Sequence, residues 1–199
     1  MNRRISLVLS IGAMLILLCP APTVAQSSVS VAKQIEADGT HTLVHEVIVD
    51  APAPQVWAAI STAEGWKTWA VPVAWVPPGR PDILETSYNP AATPGDPGTI
   101  QQRFVARIPG RLLAFRTVKA PAKFPHWDAY QLVSSVFELT PISPAKTKVR
   151  LTGVGYPDTS AGKQLVSFFE RGNSASLEWL RVRFVEGPAD WPKRLAPKK

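Results

Sequence analysis

The chain has 199 residues, 45% of them hydrophobic, with a formal net charge of +7, three histidines and a single cysteine. That inventory excludes an intrachain disulfide, argues against a histidine- or cysteine-bound metal, and leaves a fold held by its apolar core in a chain of one domain's length. The moderate basic excess carries no basic-aromatic motif, so nucleic acid is not expected as a partner and solubility accounts for the charge.

Asn2-Arg3-Arg4, the apolar run from Ile5 to Leu18 and Pro20-Ala21-Pro22-Thr23-Val24-Ala25 have the order of an n-region, an h-region and a small-x-small cleavage site. The expected product is an exported chain, periplasmic or secreted, cut near Ala25. The apolar run is shorter than the roughly 20 residues a bilayer span asks for, so a retained anchor is the second reading. Leu17-Leu18 before Cys19 do not make a lipobox. Removing 1–25 also removes Arg3, Arg4 and the only cysteine, lowering the charge from +7 to +5 with no thiol left for chemistry.

Residues 26–41 are polar and without period, and are expected to be a flexible lead-in. From Thr42 to Asp50 the residues alternate as in a strand. Asp50-Ala51-Pro52-Ala53-Pro54 then reads as an Asx cap with early prolines, opening a short helix through Gln55–Ile60. A second short helix or turn covers Thr62–Trp69, and Pro72, Pro77 and Pro78 stop it from continuing.

Strands are expected at Asp82–Tyr88, Thr99–Ile108, Arg111–Lys119, Tyr130–Thr140 and Thr147–Tyr156, with Pro109-Gly110 as a turn. One parity carries Arg103, Arg107, Arg116, Lys148, Arg150 and Glu138, and reads as a solvated outer face. The other carries Phe104, Ile108, Phe115, Phe137, Leu139, Val149 and Leu151. From Gly162 to Val185 the chain reads as one long helix. Leu165, Phe169, Gly172, Asn173, Leu177, Leu180 and Phe184 share one face, and Arg171, Ser174, Glu178 and Arg181 the other. The middle of the inner face is small and polar between heavy ends. It either leaves a space or packs closely against another backbone. Residues 188–199 read as a basic tail.

The run Val49-Asp50-Ala51-Pro52-Ala53-Pro54-Gln55-Val56-Trp57, continuing to Glu64-Gly65-Trp66-Lys67-Thr68-Trp69, resembles the opening of the SRPBCC (START-like) superfamily, nearest its heat-shock-protein ATPase activator homologue branch. Val136-Phe137-Glu138-Leu139-Thr140-Pro141 and Thr147–Tyr156 resemble the closing hairpin of that family, and the likeness spans about residues 42–187. It implies an α+β helix-grip fold: a curved antiparallel β-sheet wrapped around a long C-terminal α-helix, two short helices after the first strand, and an apolar cavity between sheet and helix.

In such a fold the inner polar or small groups are Gln102, Thr117, Ser135 and Asn173, with Gly153 beside them. Phe104, Phe115, Phe137, Leu151, Phe169 and Leu177 would supply the apolar wall, and Trp57, Trp66 and Trp69 either a pocket mouth or ordinary core. The loop Pro121–Tyr130 is a candidate lid, whose His126, Asp128 and Tyr130 are the candidate acid-base groups if chemistry occurs. No Ser-His-Asp order, phosphate loop or paired carboxylates stand out, and no cofactor is called for. The expected activity is binding of a small hydrophobic molecule (lipid, aromatic or polyketide-like) with a polyketide cyclase-like enzyme at the same pocket, or a protein-interaction module, as alternatives.

Overall fold

The computed structural model describes residues 28–196. The leader and its cleavage site lie outside them. Eight strands form one antiparallel sheet: β1 (Ser30–Ile35), β2 (His41–Val49), β3 (Val73–Trp75), β4 (Ile83–Ser87), β5 (Ile100–Ile108), β6 (Leu112–Lys119), β7 (Ser134–Ser143) and β8 (Lys146–Tyr156), in the spatial order β1-β2-β8-β7-β6-β5-β4-β3. Two short helices, α1 (Ala53–Ser61) and α2 (Ala63–Lys67), follow β2; α3 (Trp127–Tyr130) sits in the β6–β7 loop; α4 (Ser160–Glu186) closes over the sheet; α5 (Trp191–Leu195) ends the described chain. This is the helix-grip architecture that the resemblance implies.

Local chemistry explains the helix boundaries. Thr62 joins α1 to α2, its hydroxyl donating to the Ala58 carbonyl at 2.8 Å and accepting from the Gly65 amide at 2.9 Å. The two helices pass so closely that a Cβ at Gly65 would lie 2.1 Å from the Ala58 carbonyl, which is why a glycine stands there. The expected Asx cap does not form. Pro52 occupies the N-cap position of α1, and Asp50 instead meets Lys146 at 3.1 Å. Thr159 caps α4 through the Gly162 amide, and Gly187, at φ 94°, ends it.

Three further expectations are corrected. Ser30–Ile35, inside the expected flexible lead-in, pairs with β2 over its whole length as an edge strand; Lys33 fastens it to Glu170 of α4 at 2.9 Å. Within the expected basic tail, α5 docks on the end of α2, where Trp191 Nε1 donates to the Lys67 carbonyl. Arg107 and Ile108 exchange faces, because a bulge between Phe104 and Ala106 shifts the side-chain alternation. Arg107 thereby lies opposite buried Leu113, stacks 4.0 Å over the Phe104 ring and donates to the Ser61 carbonyl, while Ile108 is exposed.

The rest of the basic outer row is largely occupied. Arg150 and Lys148 share Glu46 rather than Glu138, Arg103 faces Asp82, and Arg116 donates to Ser134 and to the Leu132 carbonyl. Under the sheet the core is continuous from Val49, Val56 and Ile60 through Leu113, Leu139 and Val149 to Leu177 and Leu180 of α4.

Candidate functional site

Between α4 and the concave face of the sheet is a cavity of about 200 Å³, partly open to solvent where the exposed Tyr88 borders it. Its floor is aromatic. Phe115 of β6 and Phe137 of β7 stack with centroids 6.1 Å apart, and Trp66 meets Phe115 edge-on and Trp69 at 5.5 Å. Both indole N–H groups turn away from the space, donating to the carbonyls of Ile60 and Ala59. The two tryptophans therefore offer it only carbon.

The roof is the middle of α4. Phe169, Gly172, Asn173 and Ser176 face the cavity, and a Cβ at Gly172 would meet nothing within 4 Å. The thin stretch of the helix is thus a space and not a close backbone contact. Phe169 and Tyr156 of the lining belong to an aromatic cluster in which Tyr130 stacks on Phe169 at 4.7 Å, Tyr156 leans on Phe169 and Phe124 leans on Tyr130. Beyond Phe168, which borders both spaces, lies a wider open groove of about 720 Å³ between the lid and α4, lined in part by His126, Lys163, Gln164 and Arg171. Its openness makes it a surface feature. The cavity under the middle of α4 is the more sheltered of the two.

Polar groups reach the cavity without partners. Gln102, Ser135, Asn173, Ser176, Tyr88 and Tyr156 line it, and none of their side chains is hydrogen-bonded among the described residues. Gln102 Oε1 is wholly buried and unsatisfied. Tyr156 is 1% exposed and its hydroxyl sits where a Cβ on Gly153 would collide with it. Among the described residues no charged side chain lines the space. Burial pushes the Tyr130 hydroxyl up to about 12 and raises the Tyr156 hydroxyl as well, so both keep their protons at neutral pH. For Gln102 Oε1 the missing partner costs about 1–3 kcal/mol, a deficit a complementary ligand removes.

Nine of the thirteen expected lining residues meet here: Trp66, Trp69, Gln102, Phe115, Ser135, Phe137, Leu151, Phe169 and Asn173. Four do not. Trp57 packs on the core from α1, Phe104 lies under Arg107, Leu177 is fully buried in close-packed core, and Thr117 donates to the Tyr130 hydroxyl at 3.2 Å. The lid histidine and aspartate do not form a couple: His126 Nε2 meets Gln164 at 2.9 Å, Asp128 accepts from Gln131, and both are exposed outside the cavity. Tyr88 and Tyr156 were missed. Each ends a predicted strand and reads there as an ordinary β-forming residue. Among the described residues no group of three or more His, Cys, Asp or Glu could hold a metal, and no helix is long and apolar enough to cross a membrane.

Comparison with known proteins follows the same lines. A sequence model of the family described as polyketide cyclase / dehydrase and lipid transport matches residues 40–184. No curated protein matches the chain. Among solved structures it is similar to the Aha1 dimer from Colwellia psychrerythraea, at 16% identity and a TM-score of 0.56 over 74% of this chain and 98% of that one. It is also similar to the Zhui aromatase/cyclase from Streptomyces sp. R1128, at 17% identity and a TM-score of 0.53 over 74% and 96%, and to CalU16 from Micromonospora echinospora, at 15% and 0.53 over 83% and 88%. At these identities the likeness is one of fold.

Proposed function

Because the chain belongs to the polyketide cyclase / dehydrase and lipid transport family, we propose that it binds one compact, uncharged, aromatic molecule bearing hydroxyl or carbonyl groups. The observation that carries this reading is the half-sheltered cavity of about 200 Å³ whose wall, among the described residues, holds six polar side chains without a hydrogen-bond partner and no charged one. A dry cavity of about 150 Å³ takes a benzene, and ligand sites for larger molecules run from about 300 Å³ upward, so the fit is a one- or two-ring compound and not a long acyl chain. An anionic head would lose its hydration with no cation to meet it. The aromatic floor selects a flat ring; Gln102, Ser135, Asn173 and the two tyrosines fix its orientation by hydrogen bonds.

Calorimetric titration with 2-naphthol, naphthalene, 2-naphthoate and palmitate tests this. The expected order is 2-naphthol over naphthalene, with neither acid binding; preferred binding of palmitate or 2-naphthoate overturns it. The second reading, a cyclase-like enzyme, gains from Tyr88 and Tyr156, which line the cavity as His126 and Asp128 do not. Export, with residues 1–25 removed, rests on the leader's sequence and is tested by N-terminal sequencing of the protein from the exported fraction, where Gln26 is the expected first residue.

A further inference from the structure

The cavity wall formed by Trp66 and Trp69 is carried by α2, a helix of five residues, and by the turn after it; so short a helix does not hold itself together in water. Its last carbonyls have no partners within the helix. Three donors from the chain that follows α4 meet its final carbonyl and the two carbonyls of the turn beyond it. The Ala189 amide donates to the Thr68 carbonyl at 2.8 Å, Trp191 Nε1 to the Lys67 carbonyl at 2.6 Å and Arg194 Nη1 to the Trp69 carbonyl at 3.1 Å. The Arg194 guanidinium also lies 5.0 Å from the Trp179 ring of α4 and 5.2 Å from that of Trp191. It therefore ties α2 to the roof helix by way of α5. Gly187, at φ 94°, turns the chain back, and Asp190 caps α5 through the Lys193 amide. The donors themselves, Ala189, Trp191 and Arg194, lie beyond the residues 40–184 that the family model matches.

We propose that residues 187–196 are a strap that sets the position of the Trp66–Trp69 wall, with Arg194 as its positioning residue. Arg194 is not among the residues that line the cavity; it acts through the Trp69 backbone, by a charge-assisted hydrogen bond to the turn that follows α2. The consequence for binding rests on the function proposed above, but the mechanical role does not.

The test uses the full chain and Arg194→Ala. Amide hydrogen exchange is read at Trp66, Trp69, Ala70 and Val71, whose N–H groups bond to the Thr62 and Trp66 carbonyls, and 2-naphthol binding is read by calorimetry. The expected result is about tenfold faster exchange at those four amides with β7 and β8 unchanged, a rise of about tenfold in the 2-naphthol Kd, and recovery of both in Arg194→Lys. Unchanged exchange at the four amides overturns the strap, as does uniformly faster exchange across the sheet, or a local loosening that leaves the Kd of a binding wild type untouched. If Arg194→Ala fails to fold, Trp191→Phe removes only the indole donor and is read the same way. A wild type that binds no 2-naphthol contradicts the proposed function, while the exchange result still decides the strap.

Discussion

Two neighbouring stretches of α4 face the same sheet and do opposite things. At Leu177 and Leu180 the helix is fully buried and its side chains interlock with Val49, Val56 and Leu113. One turn earlier, at Gly172, Asn173 and Ser176, it holds back from the sheet and leaves the cavity. The packed half supplies the stability that lets the other half stay hollow. A helix with Leu at every inner position would be tighter and would have no site.

Substitutions break this contrast in a graded way. Leu177→Ala empties close-packed core and is expected to cost about 3 kcal/mol in urea or guanidinium unfolding. A loss below about 1 kcal/mol would mean that the packed half is as loose as the hollow one.

His45 gives the next largest effect. It is fully buried under α4, with Nε2 donating to the Glu170 carbonyl at 3.0 Å and Nδ1 unpartnered. Burial holds its pKa below the ordinary 6.5, outweighing the opposing pull of the Glu170 carbonyl and carboxylate. The unfolded chain therefore takes up the proton first. Stability should be complete above pH 6.5 and fall as the pH drops below it, by up to about 1.4 kcal/mol per pH unit. His45→Gln should flatten the curve between pH 7 and pH 5, and an unchanged slope would assign the loss elsewhere.

In the hollow stretch the sign reverses. Gly172→Ala places a methyl in open space and should raise stability by about 0.5–1 kcal/mol through helix propensity, as measured by thermal melting. Destabilisation there would mean that the space is filled. Smallest in stability but decisive for binding is Asn173→Phe, which should abolish 2-naphthol binding with a stability change within about 1 kcal/mol; a loss of several would make the site packed core.

Much of this contrast was legible in the sequence. The three- and four-residue spacing from Leu165 to Phe184 gave the helix face, and the interruption at Gly172-Asn173 marked the thin point. Alternation in β6 to β8 sorted Phe115, Ser135, Phe137 and Leu151 inward because those strands pair without a bulge over that stretch. In β5 the bulge at Phe104/Ala106 broke the parity, and no composition signal announces such a shift. Edge strand β1 is exposed along its whole length, so no burial imposed a period on its residues. The couple expected from His126 and Asp128 fails because proximity in sequence does not place two lid side chains on one side of the loop. Asp190 followed by Trp191-Pro192 is a helix start that the surrounding lysines and arginines obscured.

The measurement that bears most directly on the central claim is native mass spectrometry of the protein purified without denaturation, followed by extraction and identification of what it carries. A stoichiometric, neutral, one- or two-ring adduct, lost in Asn173→Phe and retained in Gly172→Ala, is the predicted result. A stoichiometric long-chain acid, or an adduct that survives Asn173→Phe, would contradict it.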